Sequence, residues 1–344
     1  MNKIIYDHKC ENRYPHAADV LEREFSEGGF AKGWAMHQKP VPDYYFDCHI
    51  HFCGESLVPE MDAAAALDVQ RALAIVKIYG ETPDGGIPAY VTKDQFPWFT
   101  PEGMKAFWDA LQDNRFFWTA WLNHQDPDPN LICRVADAGA KIIKLHNAPV
   151  IEDNEPPDIW LSDQWQETFR TIGECCLPVI IHVTQRLPSS DYTGGGRNTY
   201  WSKGWENGVT YGNEDLLQVF LTCCRRHPNI PFIGAHQLHI GWERLDELFT
   251  EFPNLYVDTS IGCQLRLYDD FYPHDKEFLR QIFIKWADRI IFGTDCLWGA
   301  DEPDTLFIRQ HMRFITALDL PGDVLNKICH SNVERVCRIA PLGY

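Results

Sequence analysis

The sequence contains no uninterrupted apolar run of the ~18 residues that a membrane span needs, so no transmembrane helix is expected. Its first residues, MNKIIYDHKCENRYPH, hold no apolar stretch of secretory type, so no signal peptide is expected and the expected location is the cytoplasm. There are 12 cysteines but no CxxC pair, and Cys175-Cys176 and Cys223-Cys224 fall within helical patterns. That spacing argues against both a thiolate zinc site and a disulfide framework; free thiols in a reducing compartment are expected. Positive charge is scarce. Lys and Arg number 31 against 49 Asp and Glu, a formal charge of −18. Such a chain repels nucleic acid and anionic lipid surfaces, and neither is expected as a partner. No GxGxxG follows the first β-rich run, so the main signal for a dinucleotide fold is missing. No solenoid-type repeat occurs either.

What is present is enough apolar material for a large core, 45 % of residues with 13 % aromatic, arranged in one recurring unit. A short β-rich run is followed by a loop, an amphipathic helical run and another β-rich run. The runs read as strands are YYFDCHIHF (44–52), ALAIVKIYG (72–80), RFFWTAWL (115–122), AKIIKLH (140–146), LPVIIHV (177–183), IPFIGAH (230–236), NLYVDTS (254–260) and RIIFGTD (289–295). Helices are expected at 60–71, 102–112, 129–138, 162–175, 214–226, 242–251, 276–286 and 304–317. Ser162, Asn213 and Pro101-Glu102 supply start signals for three of them. The strands are nearly continuous apolar runs, as suits strands covered on both faces. Eight such units in order predict an α/β protein, a (β/α)8 TIM barrel; the rival, a doubly wound open sheet, usually has fewer strands. Residues 1–43 are expected as an N-terminal extension packed on the barrel, and 44–344 as the barrel itself. The latter includes a long insertion at 185–213 and closing helices at 319–344.

In a barrel the chemistry gathers at the C-terminal ends of the strands. Those ends carry His49 and His51, Lys144 and His146, His182, His236, and Asp295. His49 and His51 are one residue apart in an extended run and so share a face. Burying imidazoles and a carboxylate together is costly without partners, and a bound cation would satisfy the set at once. His146 has an alternative reading as a loop residue, because Asn147-Ala148-Pro149 breaks the strand after it. His239, in HQLHI, reads as a loop or helix-start residue and not as a ligand.

The order His-x-His, His, His, Asp over strands one, five, six and eight resembles the metal-dependent amidohydrolase superfamily, in particular its amidohydrolase family 2 branch. The strings PVIIHVTQ, HPNIPFIGAH, FPNLYVDTS, RIIFGTDC and KICHSNVERVC are similar to that branch in order and spacing, over about residues 44 to 339. The resemblance implies metal ligation by His49, His51, His182 and Asp295, and catalytic roles for His236 and Asp295. It implies one divalent ion, Zn2+ by preference with Mn2+ or another divalent ion as the alternative. Lys144 is implied to be unmodified beside that ion; its alternative is a carbamylated bridge between two metals. The implied activity is hydrolysis of an amide, ester or lactone carbonyl of a small molecule. The alternative is non-oxidative decarboxylation of a small aromatic or muconate-like acid. A metal-binding scaffold without catalysis predicts a missing ligand or acid-base residue, and none is missing. The loop after strand one, CGESLVPE, carries Glu55 but no arginine, which favours hydrolysis. A homodimer or larger assembly is implied as well.

The insertion at 185–213 is glycine-rich and holds Tyr192, Tyr200, Trp201, Trp205 and Tyr211. It reads as a lid or specificity loop, or as a surface excursion at a subunit contact. Tyr200, Trp201 and Trp205 suit stacking on a ring. Arg186 and Arg197 suit a bidentate grip on a substrate carboxylate.

Overall fold

The computed structural model describes residues 40–52, 61, 64–65, 68–77, 114–125, 127–184, 210–260, 276–298 and 305–343. The expected extension at 1–43 lies almost wholly outside these residues, as do the helix at 102–112 and the insertion as far as residue 209.

The strands are Tyr45–Phe52 (β1), Val69–Lys77 (β2), Phe116–Trp121 (β3), Ile142–His146 (β4), Val179–His182 (β5), Phe232–Gly234 (β6), Leu255–Asp258 (β7), Ile290–Ile291 (β8) and Cys296–Trp298 (β9). The sheet runs β8-β7-β6-β5-β4-β3-β2-β1-β9. All its pairs are parallel, with β9 beside β1. β8 lies inside the run 289–295 read from sequence as the eighth strand, and β9 follows directly after that run. They are separated because Asp295 takes a left-handed φ of 61°. The seam against β1 is still tied, by Cys48 N donating to Phe292 O at 3.0 Å and Asp295 N to His49 O at 2.7 Å. The result is a nearly closed (β/α)8 barrel.

β2 begins three residues earlier than its sequence pattern suggests. Asp68, at φ 69°, turns the chain, and Val69 already pairs with Tyr45. The helices follow the expected positions closely: Pro129–Asp137 (α1), Asp163–Glu174 (α3), Asn213–Arg226 (α4), Trp242–Glu251 (α5), Lys276–Lys285 (α6) and Thr305–Ala317 (α7). Asp128 caps α1 by accepting from Asn130 N at 2.8 Å, with Pro129 at the first helical position. Ser162 caps α3 as expected. At α4 the cap moves back one residue to Gly212, whose N–H is taken by Asp215 Oδ2 at 2.7 Å. A short helix at Asn147–Glu152 (α2) replaces the expected loop after β4. Gly322–Asn326 (α8) and Asn332–Cys337 (α9), joined by a π turn at Lys327–Ser331, close the chain.

Strand periodicity divides the core in two. Ile142 on β4, Ile180 on β5, Ile233 on β6, Tyr256 on β7 and Ile291 on β8 meet Phe46, Cys48 and Leu73 inside the barrel. Their neighbours Ile143, Ile181 and Val257 face the helices. Two residues further along three of these strands, the inner face turns polar: Lys144 after Ile142, His182 after Ile180, Asp258 after Tyr256. A register shift in β1 between Asp47 and Ile50 flips its alternation. Cys48 therefore packs inside with Phe46 while Ile50 faces outward.

The opposite end is sealed by the C-terminal helices. Arg71 Nη1 meets Glu334 Oε1 at 3.0 Å and Ala340 O at 2.6 Å, Tyr44 hydrogen-bonds the same carboxylate, and the Tyr44 and His330 rings stack at 4.1 Å. Among the described residues every cysteine is a free thiol, and no helix is long and apolar enough to cross a membrane.

Candidate metal centre

Three donors converge at the C-terminal mouth. His49 Nε2 and His51 Nε2 lie 3.0 and 2.9 Å from Asp295 Oδ1. One ligand atom from each of the three residues fits within 4.8 Å of the others. The two rings stand side by side, centroids 5.4 Å apart, as the spacing His-x-His predicts. The approach depends on a glycine: a Cβ on Gly293 would come 3.0 Å from His49 Cβ and 3.1 Å from Cys48 Sγ. Two imidazoles and a carboxylate at this separation are a donor set that fits a divalent ion of zinc type.

The other expected residues surround this group. His182 is not among the three converging donors. Its ring lies 4.5 Å from His236 and 4.2 Å from His146, measured between centroids. His236 lies 5.4 Å from His49. Lys144 Nζ stands 3.4 Å from His49 Nε2, and burial pushes its pKa down to about 8 in spite of Asp295 and Asp258. His146 is no loop residue. It ends β4, is buried, and caps α2 by accepting Ala148 N–H on Nδ1 at 2.9 Å. Its ring stacks on Trp121, centroids 5.4 Å apart. His239 is buried against His236, rings stacked at 5.2 Å, and so belongs to the same histidine cluster. Arg186, Arg197, Tyr200, Trp201 and Trp205 lie outside the described residues.

His236 owes its position to an unusual turn. Residues 236 to 239 all have positive φ, 57°, 51°, 58° and 52°. Left-handed backbone costs roughly 1–2 kcal/mol per non-glycine residue, so this turn needs strong ties. His236 N donates to Asp258 Oδ1 at 2.9 Å, Gln237 Nε2 to Asp258 O and Ser260 O at 2.7 Å each, and Thr184 to Leu238 O. Gly234 is required here, because a Cβ on it would fall 2.4 Å from Leu238 Cδ2.

Electrostatics separate the groups. Burial would raise the Asp295 pKa, but His49 and His51 hold it well below the usual carboxylate range. Burial, with His182 beside it, holds His236 well below 6.5, so this ring is neutral at pH 7. Asp258 is a site residue that the sequence reading passed over. Its Oδ2 accepts from His49 Nδ1 at 2.6 Å. It ends the apolar run LYV in polar character, the same signal that marked His182 and Asp295.

No curated protein sequence matches the chain. Among solved structures, 2,6-dihydroxybenzoate decarboxylase from Rhizobium aligns with a TM-score of 0.52 at 14% identity, covering 86% of this chain and 99% of that one. An amidohydrolase from Burkholderia multivorans with bound zinc gives 0.51 at 13% identity, over 86% and 100%. A probable 2-pyrone-4,6-dicarboxylic acid hydrolase from Acinetobacter baumannii gives 0.50 at 12% identity, over 86% and 99%. At these identities the likeness concerns the fold. The sequence match is more specific: the amidohydrolase family model covers residues 46–339, most of the chain. The protein therefore belongs to the amidohydrolase family.

Proposed function

We propose that the protein is a metal-dependent hydrolase acting on an amide, ester or lactone carbonyl of a small molecule. The observation that carries this reading is the convergence of His49, His51 and Asp295 beside a neutral, buried His236. His49, His51 and Asp295 would hold one divalent ion, Zn2+ by preference, with His182 as the fourth ligand. Such an ion polarises a carbonyl and lowers the pKa of water towards ~7. Two residues can take the proton of the attacking water. Asp295 is ionised at neutral pH, and His236 offers a ring nitrogen that can then return the proton to the leaving group. Arg186 and Arg197 are assigned to a substrate carboxylate, and Tyr200, Trp201 and Trp205 to ring stacking. The assembly is taken to be a homodimer.

Decarboxylation is the second reading, favoured by Lys144. A buried cation beside the same donors can hold a carboxylate in place, which a decarboxylase requires and a hydrolase of neutral substrates does not.

The test is zinc analysis of the purified chain, followed by a turnover screen of lactones, esters, amides and hydroxybenzoate-type acids that records acid release and CO2 release separately. His49→Ala and His182→Ala should lose zinc and turnover together. His236→Asn should keep zinc and lose turnover by ~10²–10⁴-fold, the usual worth of acid-base help. Full zinc occupancy in both alanine variants would sink the ligand set; unchanged turnover in His236→Asn would sink the role of that histidine.

A further inference from the structure

Asp258 sits between two histidines to which the proposed function gives different jobs, and its contacts are unusually complete. Oδ2 accepts from His49 Nδ1 at 2.6 Å. Oδ1 accepts from His236 N at 2.9 Å, Ser260 N at 3.2 Å and Ser260 Oγ at 2.7 Å. Ser260 Oγ lies in turn 2.9 Å from His236 Nδ1. All four residues are buried.

Proton counting fixes the direction of every bond in this set. Oδ1 takes three donors, two of them backbone N–H groups, and such donors favour the ionised carboxylate, which only accepts. His49 Nδ1 must therefore carry a proton, and Nε2, 3.0 Å from Asp295 Oδ1, is the atom left to ligate an ion held between the two residues. Ser260 has one hydroxyl proton. The ionised Oδ1 at 2.7 Å is a better acceptor for it than an imidazole nitrogen at 2.9 Å. With that proton committed, Ser260 Oγ can only accept from His236, so His236 Nδ1 also carries a proton and Nε2 is again the bare atom.

We propose that Asp258 and Ser260 act as a shared tautomer lock. Asp258 sets His49 for metal ligation, and through Ser260 it sets His236 as a proton acceptor at Nε2. Both are positioning residues. Asp258 meets His49 at Nδ1, the ring atom away from Asp295, and Ser260 Oγ stands closer to His236 Nδ1, at 2.9 Å, than to His49 Nδ1, at 3.3 Å. The lock also explains why the left-handed turn after β6 ends against β7, since the backbone N–H of His236 shares the acceptor that fixes its ring. Ligating histidines commonly need such a partner, and loss of one typically costs about 10–100-fold in metal affinity.

The two arms of the lock separate experimentally. In Asp258→Asn the three donors at Oδ1 require the amide oxygen there, so the NH2 faces His49 Nδ1 and forces its proton onto Nε2, the ligating atom. Zinc affinity should fall about 10–100-fold. In Ser260→Ala the Asp258–His49 bond remains, and zinc affinity should stay within about threefold of the native value. The His236 tautomer should change in that variant and return in Ser260→Thr.

The inference rests on the metal-site reading, and its measurements do not require turnover. The full chain, labelled with ¹⁵N-histidine and loaded with zinc, is read by long-range ¹H–¹⁵N correlation, with His236 assigned by its loss in His236→Asn. The expected pattern is a protonated Nδ1 and a bare Nε2 on His236, altered in Ser260→Ala and restored in Ser260→Thr. A proton on Nε2 of native His236, or an unaltered pattern in Ser260→Ala, overturns the lock. So does native zinc affinity in Asp258→Asn. If native chain binds no zinc, the metal reading fails and the His49 arm with it, whereas the His236 pattern in the zinc-free chain still decides the Ser260 arm. If Asp258→Asn does not fold, the serine variants decide alone.

Discussion

Thr294 donates its hydroxyl proton to Asp47 across the seam of the barrel, 2.5 Å from Oγ1 to Oδ2, although 247 residues separate them. The other oxygen of Asp47 accepts Thr294 N at 3.0 Å and His49 N at 3.1 Å. One buried carboxylate thus fixes the residue before Asp295 and the backbone of His49 together. It sets the distance between two of the three converging donors.

Replacing Thr294 by Val keeps the shape and removes one donor. The stranded Oδ2 of Asp47 should cost about 1–3 kcal/mol, read as a lower urea midpoint at unchanged slope. Zinc affinity should fall as well, because Asp295 is next in the chain and ties to His49 O at 2.7 Å. Lost stability with native zinc affinity would mean that the seam serves only the fold.

The floor of the barrel should behave in the opposite way. Glu334→Ala leaves Arg71 buried and strips it of a partner at 3.0 Å, a loss of about 3–5 kcal/mol for a buried pair. Chemistry in this fold belongs to the other end. Zinc affinity measured below the unfolding transition should therefore be native. A weakened site would show that the closing helices act on the mouth.

The barrel was legible because its interior strands are covered on both faces and so spell continuous apolar runs. Ile142 before Lys144, Ile180 before His182 and Ile290-Ile291 before Asp295 made the polar ends conspicuous. Other features had no local sign. The register shift inside β1 depends on pairing with β2, and the left-handed path of residues 236 to 239 depends on bonds from β7. Neither is a propensity of the residues involved. His146 ends the fourth strand as expected, but its second role had no local sign: Asn147-Ala148-Pro149 breaks the strand by opening a helix that His146 caps. Asp258 could have been found. The inner-face parity that placed His182 two residues beyond Ile180 places Asp258 two beyond Tyr256.

A pH effect on stability is expected away from the mouth. Asp246 Oδ1 accepts from Lys285 Nζ at 2.5 Å and Trp286 Nε1 at 2.6 Å, tying α5 to the end of α6. Lys285 holds the carboxyl below its ordinary value of 3.8, against the effect of partial burial. A folded-state pKa below the unfolded one gives stability that is present above the unfolded value and lost as pH falls through the folded one. The melting-temperature gap between native chain and Asp246→Asn should therefore be widest near neutral pH and close below about pH 4. A gap that is constant with pH would assign the contribution to packing rather than charge.

Lys144 separates the two proposed reactions. Its ammonium lies 3.4 Å from His49 Nε2 and, with a pKa of about 8, is the prevailing form at pH 7. A positive charge there repels a divalent ion and attracts a carboxylate. Lys144→Met should therefore keep one zinc per chain, bound as tightly as in the native protein or more so, and added bicarbonate should not raise that stoichiometry. Binding of a hydroxybenzoate probe should weaken about 10–100-fold, the worth of a hydrogen bond to a charged group. For the hydrolase, whose substrate carboxylate is assigned to Arg186 and Arg197 and not to Lys144, KM should barely move. For a decarboxylase, KM should rise with the probe's Kd. Loss of zinc in Lys144→Met would mean instead that the lysine helps to hold the metal, as a carbamate would, and the single-ion site proposed here would be wrong.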